Sequence, residues 1–191
     1  MELTQRRTPT SLPAAVLDDA RLVELAGWGA RLSDLGISPA ASGNLSCRAG
    51  DGFLITGTGV PLGAIHGDDW VHITGVEPWD DGGLVVVSQG PVEPSRDAGV
   101  HAAVYRRLPE AMTVFHLHPD YLDTLSVDLG VPTTSTHQQA GTVESVREIE
   151  RWIDPSTGYL VIVDHGIVAW ADTVDTAGDL VERYHRLATG A

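Results

Sequence analysis

Thr113-Val114-Phe115-His116-Leu117-His118-Pro119 is the stretch from which the rest of this chain can be read. Its β-branched and aromatic residues predict a strand, and a strand turns alternate side chains to opposite faces. His116 and His118 therefore project to one side while Leu117 enters the opposite layer. Their Cα atoms stand about 6–7 Å apart, close enough for both imidazoles to converge on one ion. Pro119 has no N–H for a ladder, so the strand stops where the pair ends. An H-x-H pair is a weak metal signal by itself, because a site needs a third protein ligand.

His165 is the natural third ligand. It follows the apolar run Tyr159-Leu160-Val161-Ile162-Val163, which predicts another strand, and lies in the turn Asp164-His165-Gly166. Such turns hold side chains at a sheet edge. Three neutral imidazoles leave a divalent ion its full charge and an open position, which is how catalytic sites are arranged. Pro94-Ser95 opens a helix, with Ser95 expected as its N-cap and Asp97 in the first turn. Asp97 is a candidate fourth ligand or acid/base, and it shares a helical face with His101, four residues on. Asn44, Thr58, Gly59 and Ser95 offer amide, hydroxyl and backbone donors that cradle an anion without formal charge. Arg96 adds a guanidinium fork for a phosphate or carboxylate.

Composition narrows the function classes. With 191 residues, 42% hydrophobic and 20% charged, the chain is expected to form one globular domain over 1–191, with 1–10 a loose lead-in. Cys47 is the only cysteine, so neither an intrachain disulfide nor a cysteine zinc knuckle can form. The N-terminal MELTQRRTPTSLP lacks an apolar h-region and no later run suits a membrane, so a cytoplasmic setting is expected. A net charge of −14 argues against a nucleic-acid partner. All twelve basic residues are arginine. Without lysine there can be no Schiff base, pyridoxal phosphate anchor or P-loop. Carbanion chemistry here would need a metal or hydrogen bonds.

Along the chain, an amphipathic helix is expected from Ser11 or Pro13 to about Gly36, with Val16, Ala20, Val23, Ala26/Gly27 and Ala30 as its stripe. Strands are expected after the Gly43-Asn44 turn and over 53–56, 71–74 and 84–88, the last two forming a hairpin around Asp80-Asp81-Gly82-Gly83. A helix should start at Pro119, 131–136 should be extended, and 143–153 helical. A final helix, capped by Thr173 or Asp172, has a stripe of Ala177, Leu180, Val181, Tyr184 and Leu187/Ala188. The mixture implies a sheet with helices packed on it, in α/β or α+β layering.

Five blocks, in order, resemble the class II aldolase/adducin superfamily: S-G-N-L-S at 42–46, I-T-G-T-G-V-P at 55–61, P-S-R-D-A-G-V-H-A-A-V-Y at 94–105, H-L-H-P at 116–119 and D-H-G-I-V-A-W-A-D at 164–172. The resemblance runs from roughly residue 15 to 188. It implies a three-layer α/β/α fold around a central, mainly antiparallel sheet, and a homotetramer with sites at subunit boundaries. It also implies His116, His118 and His165 as ligands of one divalent ion, and Asn44, Thr58, Gly59 and Ser95 as holders of a substrate phosphate. Zinc is the first expectation, with manganese, iron or cobalt also suited to imidazole ligands.

Fuculose-phosphate-type aldolases and methylthioribulose-phosphate dehydratases carry glutamate where Asp97 stands, and Asp97 looks more like ribulose-phosphate 4-epimerases. Arg96 replaces a small residue. Gln139 stands near a glutamate or aspartate of the relatives and cannot move protons, whereas His137 beside it can. The resemblance implies a lyase performing reversible aldol cleavage of a small anionic, phosphorylated sugar through a metal-stabilised enediolate. Epimerisation and dehydration on the same core are the alternatives. A non-catalytic adducin-like interaction domain is a further one, and the intact histidine set speaks against it.

Overall fold

In the computed structural model, which describes residues 1–78 and 82–190, eight strands hydrogen-bond into one sheet. They are β1 (Thr4–Pro9), β2 (Asn44–Ala49), β3 (Gly52–Thr56), β4 (Trp70–Pro78), β5 (Leu84–Gly90), β6 (Thr113–Leu117), β7 (Tyr159–Ile162) and β8 (Gly166–Ala171). Their spatial order is β1-β5-β4-β3-β2-β6-β8-β7, and every pairing is antiparallel except β1 with β5. Helices α1 (Ala14–Leu17), α2 (Ala20–Asp34), α3 (Ala98–Arg107), α4 (Val143–Trp152) and α5 (Val174–Thr189) accompany the sheet.

The strand alternation builds two cores. Leu45, Leu54, Phe115, Leu117, Ile167 and Ala169 face a layer of α2 and α5, while Ile55, Ile73, Val114, Leu160, Val168 and Trp170 face α3 and α4. The result is the expected three-layer α/β/α arrangement. β6 lies between β2 and β8 and is buried throughout. Among the described residues no helix is long and apolar enough to cross a membrane.

Several local expectations are corrected. Residues 1–10 are not a loose lead-in: Thr4–Pro9 runs parallel to β5, and Arg7 donates to Glu93 and to the Gly90 carbonyl. A polar edge strand lacks apolar alternation, so the pattern hides it. β8 is likewise additional to the expected strands. The first helix breaks at Asp18-Asp19, where the Asp19 carboxylate accepts from the Arg21 N–H and caps α2 in place of Ser11. Its buried face is Leu22, Leu25, Trp28, Gly29 and Leu32, whereas Val23 of the expected stripe is 75% exposed. Larger apolar side chains bury more area and set the rotation.

After Pro119 the chain forms a π-type turn, Thr124–Asp128, in which the Ser126 hydroxyl competes for the carbonyls of Leu122 and Asp123. Residues 131–136 make one bridge, Thr133 to Val161, rather than a strand. Pro132 has no N–H to extend it. The hairpin of β4 and β5 forms as expected, while Asp80 and Asp81 of its turn lie outside the described residues. Helix α5 is capped by the Thr173 hydroxyl, and Leu187 of its expected stripe is 53% exposed.

Helices α2 and α5 approach closely because Gly178 faces the Trp28 ring, which is held by its Nε1–H bond to Asp175. A Cβ at Gly178 would stand 2.3 Å from Trp28 ring atoms. Gly178→Ala should therefore destabilise the fold by about 1–3 kcal/mol, because overpacking outweighs the gain in helix propensity. Urea denaturation of the two proteins measures it.

Candidate metal centre

Register brings the three histidines together. His116 on β6 stands opposite Asn44 of β2 on one side and Val168 of β8 on the other. β7 and β8 form a hairpin whose connection includes Asp164 in the left-handed region (φ 54°), and the His165 N–H donates to the Ile162 carbonyl. That turn folds His165 back over the end of β6. The Nε2 atom of His116 is then 3.1 Å from Nε2 of His165 and 2.9 Å from Nε2 of His118. One ring nitrogen from each of the three lies within 4.8 Å of the others.

Gly166 permits this approach. A Cβ there would stand 2.4 Å from the Leu117 carbonyl oxygen and 2.7 Å from Cδ2 of His118. His116 is fully buried, and its Nδ1 lies 2.9 Å from the Ile167 carbonyl oxygen. A carbonyl only accepts, so Nδ1 carries the proton and Nε2 presents its lone pair. Nitrogen ligands about 2.0–2.1 Å from a tetrahedral ion stand roughly 3.3–3.4 Å apart. Two of the three Nε2 separations are near that spacing, so a cation could sit among these ring nitrogens.

Asp97 closes one side. It is the N-cap residue of α3, but its side chain makes no capping bond and turns inward. Its Oδ2 accepts from Asn44 Nδ2 at 3.2 Å and lies 3.6 Å from His116 Nε2. Burial pushes its carboxyl up, but His116, His165, His101 and the Asn44 hydrogen bond outweigh this and hold it below the usual carboxylate range. Burial, reinforced by His116, pushes both His118 and His165 down to about 4. They are therefore neutral at pH 7, the form that binds a metal.

The anion-holding candidates gather at the same end of the sheet. Gly57 bridges to Pro94, which sets Thr58 beside the segment leading to Asp97. The Thr58 hydroxyl donates to the Pro94 carbonyl at 2.8 Å, so it has acceptor lone pairs but no proton left for an anion. Gly59 is exposed in a turn with φ of 76°. Ser95 is not the N-cap residue. It lies two residues earlier and is buried, with its oxygen accepting from the Asp97 N–H at 3.2 Å, so its own O–H stays available as a donor.

Arg96 does not join this group: it lies against Gly141 and lines a separate crevice with Glu2, Leu3 and Gln5. The exposed His137 does, its ring centroid 6.4 Å from that of His165. Its loop is tied down by the buried Glu148 carboxylate, which accepts from the Ser135 N–H. Gln139 is exposed, whereas Gln138, which had no signal in the sequence, lines a narrow cleft with Asp97, Ala140, Ser145 and His165.

Gly166→Ala keeps all three histidines but should lower zinc affinity by at least about tenfold, on the scale of lost support around a ligand set; competition against a chromogenic chelator reads it. The metal-free protein should lose stability as pH falls from about 6.5 toward 4. Folded His118 and His165 refuse protons until about 4, while the unfolded chain takes them near the ordinary value of 6.5. Urea midpoints between pH 7.5 and 4.5 check the sign.

Known proteins resemble this chain in sequence and in fold. The chain is 28% identical to methylthioribulose-1-phosphate dehydratase of Acidiphilium cryptum, covering 82% of each chain. It is 26% identical to 5-methylthioribulose-1-phosphate/5-deoxyribulose-1-phosphate aldolase of Rhodospirillum rubrum, covering 83% of this chain and 74% of the relative. The crystal structure of L-fuculose-1-phosphate aldolase from Thermus thermophilus superposes with a TM-score of 0.65 at 25% identity, covering 90% of this chain and 97% of that one. Residues 23–190 match the Class II Aldolase and Adducin N-terminal domain, so the protein with this three-histidine centre belongs to the class II aldolase/adducin family.

Proposed function

We propose that this protein is a metal-dependent lyase that reversibly cleaves a small phosphorylated ketose by an aldol reaction. The observation that carries the reading is the meeting of three Nε2 atoms beside the Asp97 carboxylate. His116, His118 and His165 would hold one divalent ion, zinc in the first instance. When bound, that ion supplies a Lewis acid for the enediolate charge that aldol cleavage leaves. The absence of lysine supports this route, since a Schiff-base aldolase needs an amine.

The chain's own residues divide the remaining work. Asp97, already ionised, takes the proton of the hydroxyl at the bond to be broken and returns it in the synthetic direction. Asn44, held against Asp97, orients that carboxylate and offers its remaining N–H to the substrate. Ser95 donates its hydroxyl to the anionic group, with the Thr58-Gly59 turn beside it. Arg96, on its separate crevice, serves at most the outer rim. His137 delivers a proton to the carbon left by cleavage. In this reading the enzyme is cytoplasmic, and it is homotetrameric as the family resemblance implies.

Dehydration is the second reading, favoured by the 28% identity to the Acidiphilium cryptum dehydratase. Zinc-loaded protein incubated with 5-methylthioribulose 1-phosphate and fuculose 1-phosphate, followed by proton NMR, separates the two. Two carbonyl fragments support aldol cleavage, a dehydrated diketone supports the second reading, and an isomer marks an epimerase. Asp97→Asn should lower kcat by about 10²–10⁴-fold while zinc stoichiometry stays unchanged. Protein that binds no stoichiometric metal, with activity indifferent to His116→Ala, would overturn the metal-dependent reading.

A further inference from the structure

Behind the metal centre lies a buried chain of polar side chains, running from Tyr105 to Asn44, of which the roles above use only Asn44. Tyr105 OH is 2.7 Å from Ser46 Oγ, Ser46 Oγ is 2.6 Å from His101 Nδ1, and His101 Nε2 is 2.6 Å from Asn44 Oδ1. Asn44 Nδ2 in turn donates to Asp97. His101 and Ser46 are fully buried, and Tyr105 and Asn44 are 5% and 4% exposed.

The chemistry of the end groups fixes the direction of every bond. Asn44 Nδ2 donates to Asp97 Oδ2, so the Asn44 carbonyl points the other way, at His101. That carbonyl only accepts, so His101 carries its proton on Nε2. His101 Nδ1 is then an acceptor, which the Ser46 hydroxyl satisfies, and the Tyr105 hydroxyl donates to Ser46. Every proton thus points toward the metal centre. Burial pushes His101 down to about 3, which keeps this neutral tautomer in place at ordinary pH.

The geometry points to His101 as a positioning residue: braced by Ser46 and Tyr105, it locks the Asn44 amide with its NH2 toward Asp97 and the substrate. The alternative amide orientation would set Asn44 Oδ1 against the Asp97 carboxylate and leave the site without a donor there. This inference rests on the proposed lyase reading for its kinetic consequence, but not for its structural one.

The test uses the zinc-loaded protein and two variants. His101→Leu removes the donor, and His101→Gln restores an N–H near the position of Nε2. The side-chain NH2 of Asn44, identified in ¹H–¹⁵N spectra by its loss in Asn44→Ala, should exchange slowly with solvent in the parent protein. Exchange should be about 10–100-fold faster in His101→Leu and slow again in His101→Gln. Zinc stoichiometry should be the same in all of them. On a cleaved ketose phosphate, kcat should fall about 10–100-fold in His101→Leu and recover in His101→Gln. It should be indifferent to His101→Leu when Asn44 is already alanine, because the effect passes through that amide.

An Asn44 NH2 unchanged by His101→Leu, or losses that multiply independently in the double variant, would overturn the role. If His101→Leu does not fold, Ser46→Ala replaces it, with the His101 tautomer read from its ring ¹⁵N shifts; an unchanged tautomer together with an unchanged Asn44 NH2 overturns the role. If no ketose phosphate is cleaved, the lyase reading fails while the exchange measurement still decides this one.

Discussion

The packing of β6 governs this molecule. Its neighbours on both edges are strands and both of its faces are covered by helices, so its backbone hydrogen bonds and side chains are all committed. A strand held on four sides cannot slip by one residue without moving Phe115 and Leu117 out of one core and Val114 out of the other. The same constraint fixes the direction of His116. The close passage of β8 at Gly166 then sets the distance at which His165 meets it. Precision at the histidine cluster is thus inherited from apolar packing and strand register rather than from the polar groups.

Electrostatics complement that rigidity. His118 and His165, uncharged, stand with His116 beside one ionised carboxylate, a set that a divalent cation would complement. The low dielectric that keeps His118 and His165 uncharged also strengthens the hold of Asp97 on any cation placed among them. Burial would otherwise favour a protonated Asp97, and the hydrogen bond from Asn44 opposes that preference.

The hydrogen-bonded chain through Asn44, His101, Ser46 and Tyr105 adds a third layer of control. Asn44 is ambidextrous, offering a donor on one side and an acceptor on the other, and without a partner it could present either. Partners on both sides remove the choice. They are Asp97 at the N-cap of α3 and His101 within that helix, which packs on the sheet that carries Asn44. The loops at this end are held in turn by the Thr58 bond to the Pro94 carbonyl and the Ser135 bond to Glu148.

Much of this was legible in the sequence because it depends on local periodicity. Alternation in 113–118 determined that His116 and His118 share a face. Cap residues and Gly-bounded runs located the hairpin of β4 and β5 and the helices α4 and α5, and the absence of lysine fixed which carbonyl chemistry was closed. The rotation of α2 was not legible, since small and large apolar residues gave competing stripes and only the partner helix chose between them. β1 had no apolar signature because an edge strand is held by backbone bonds. Arg96, expected at a helix start, and His137 were both candidates, and only the folded chain put one in a separate crevice and the other beside His165. The meeting of His116 with His165, 49 residues apart, belongs to tertiary structure alone: a sequence states which ligands exist, but the distance between them is set by which strands become neighbours.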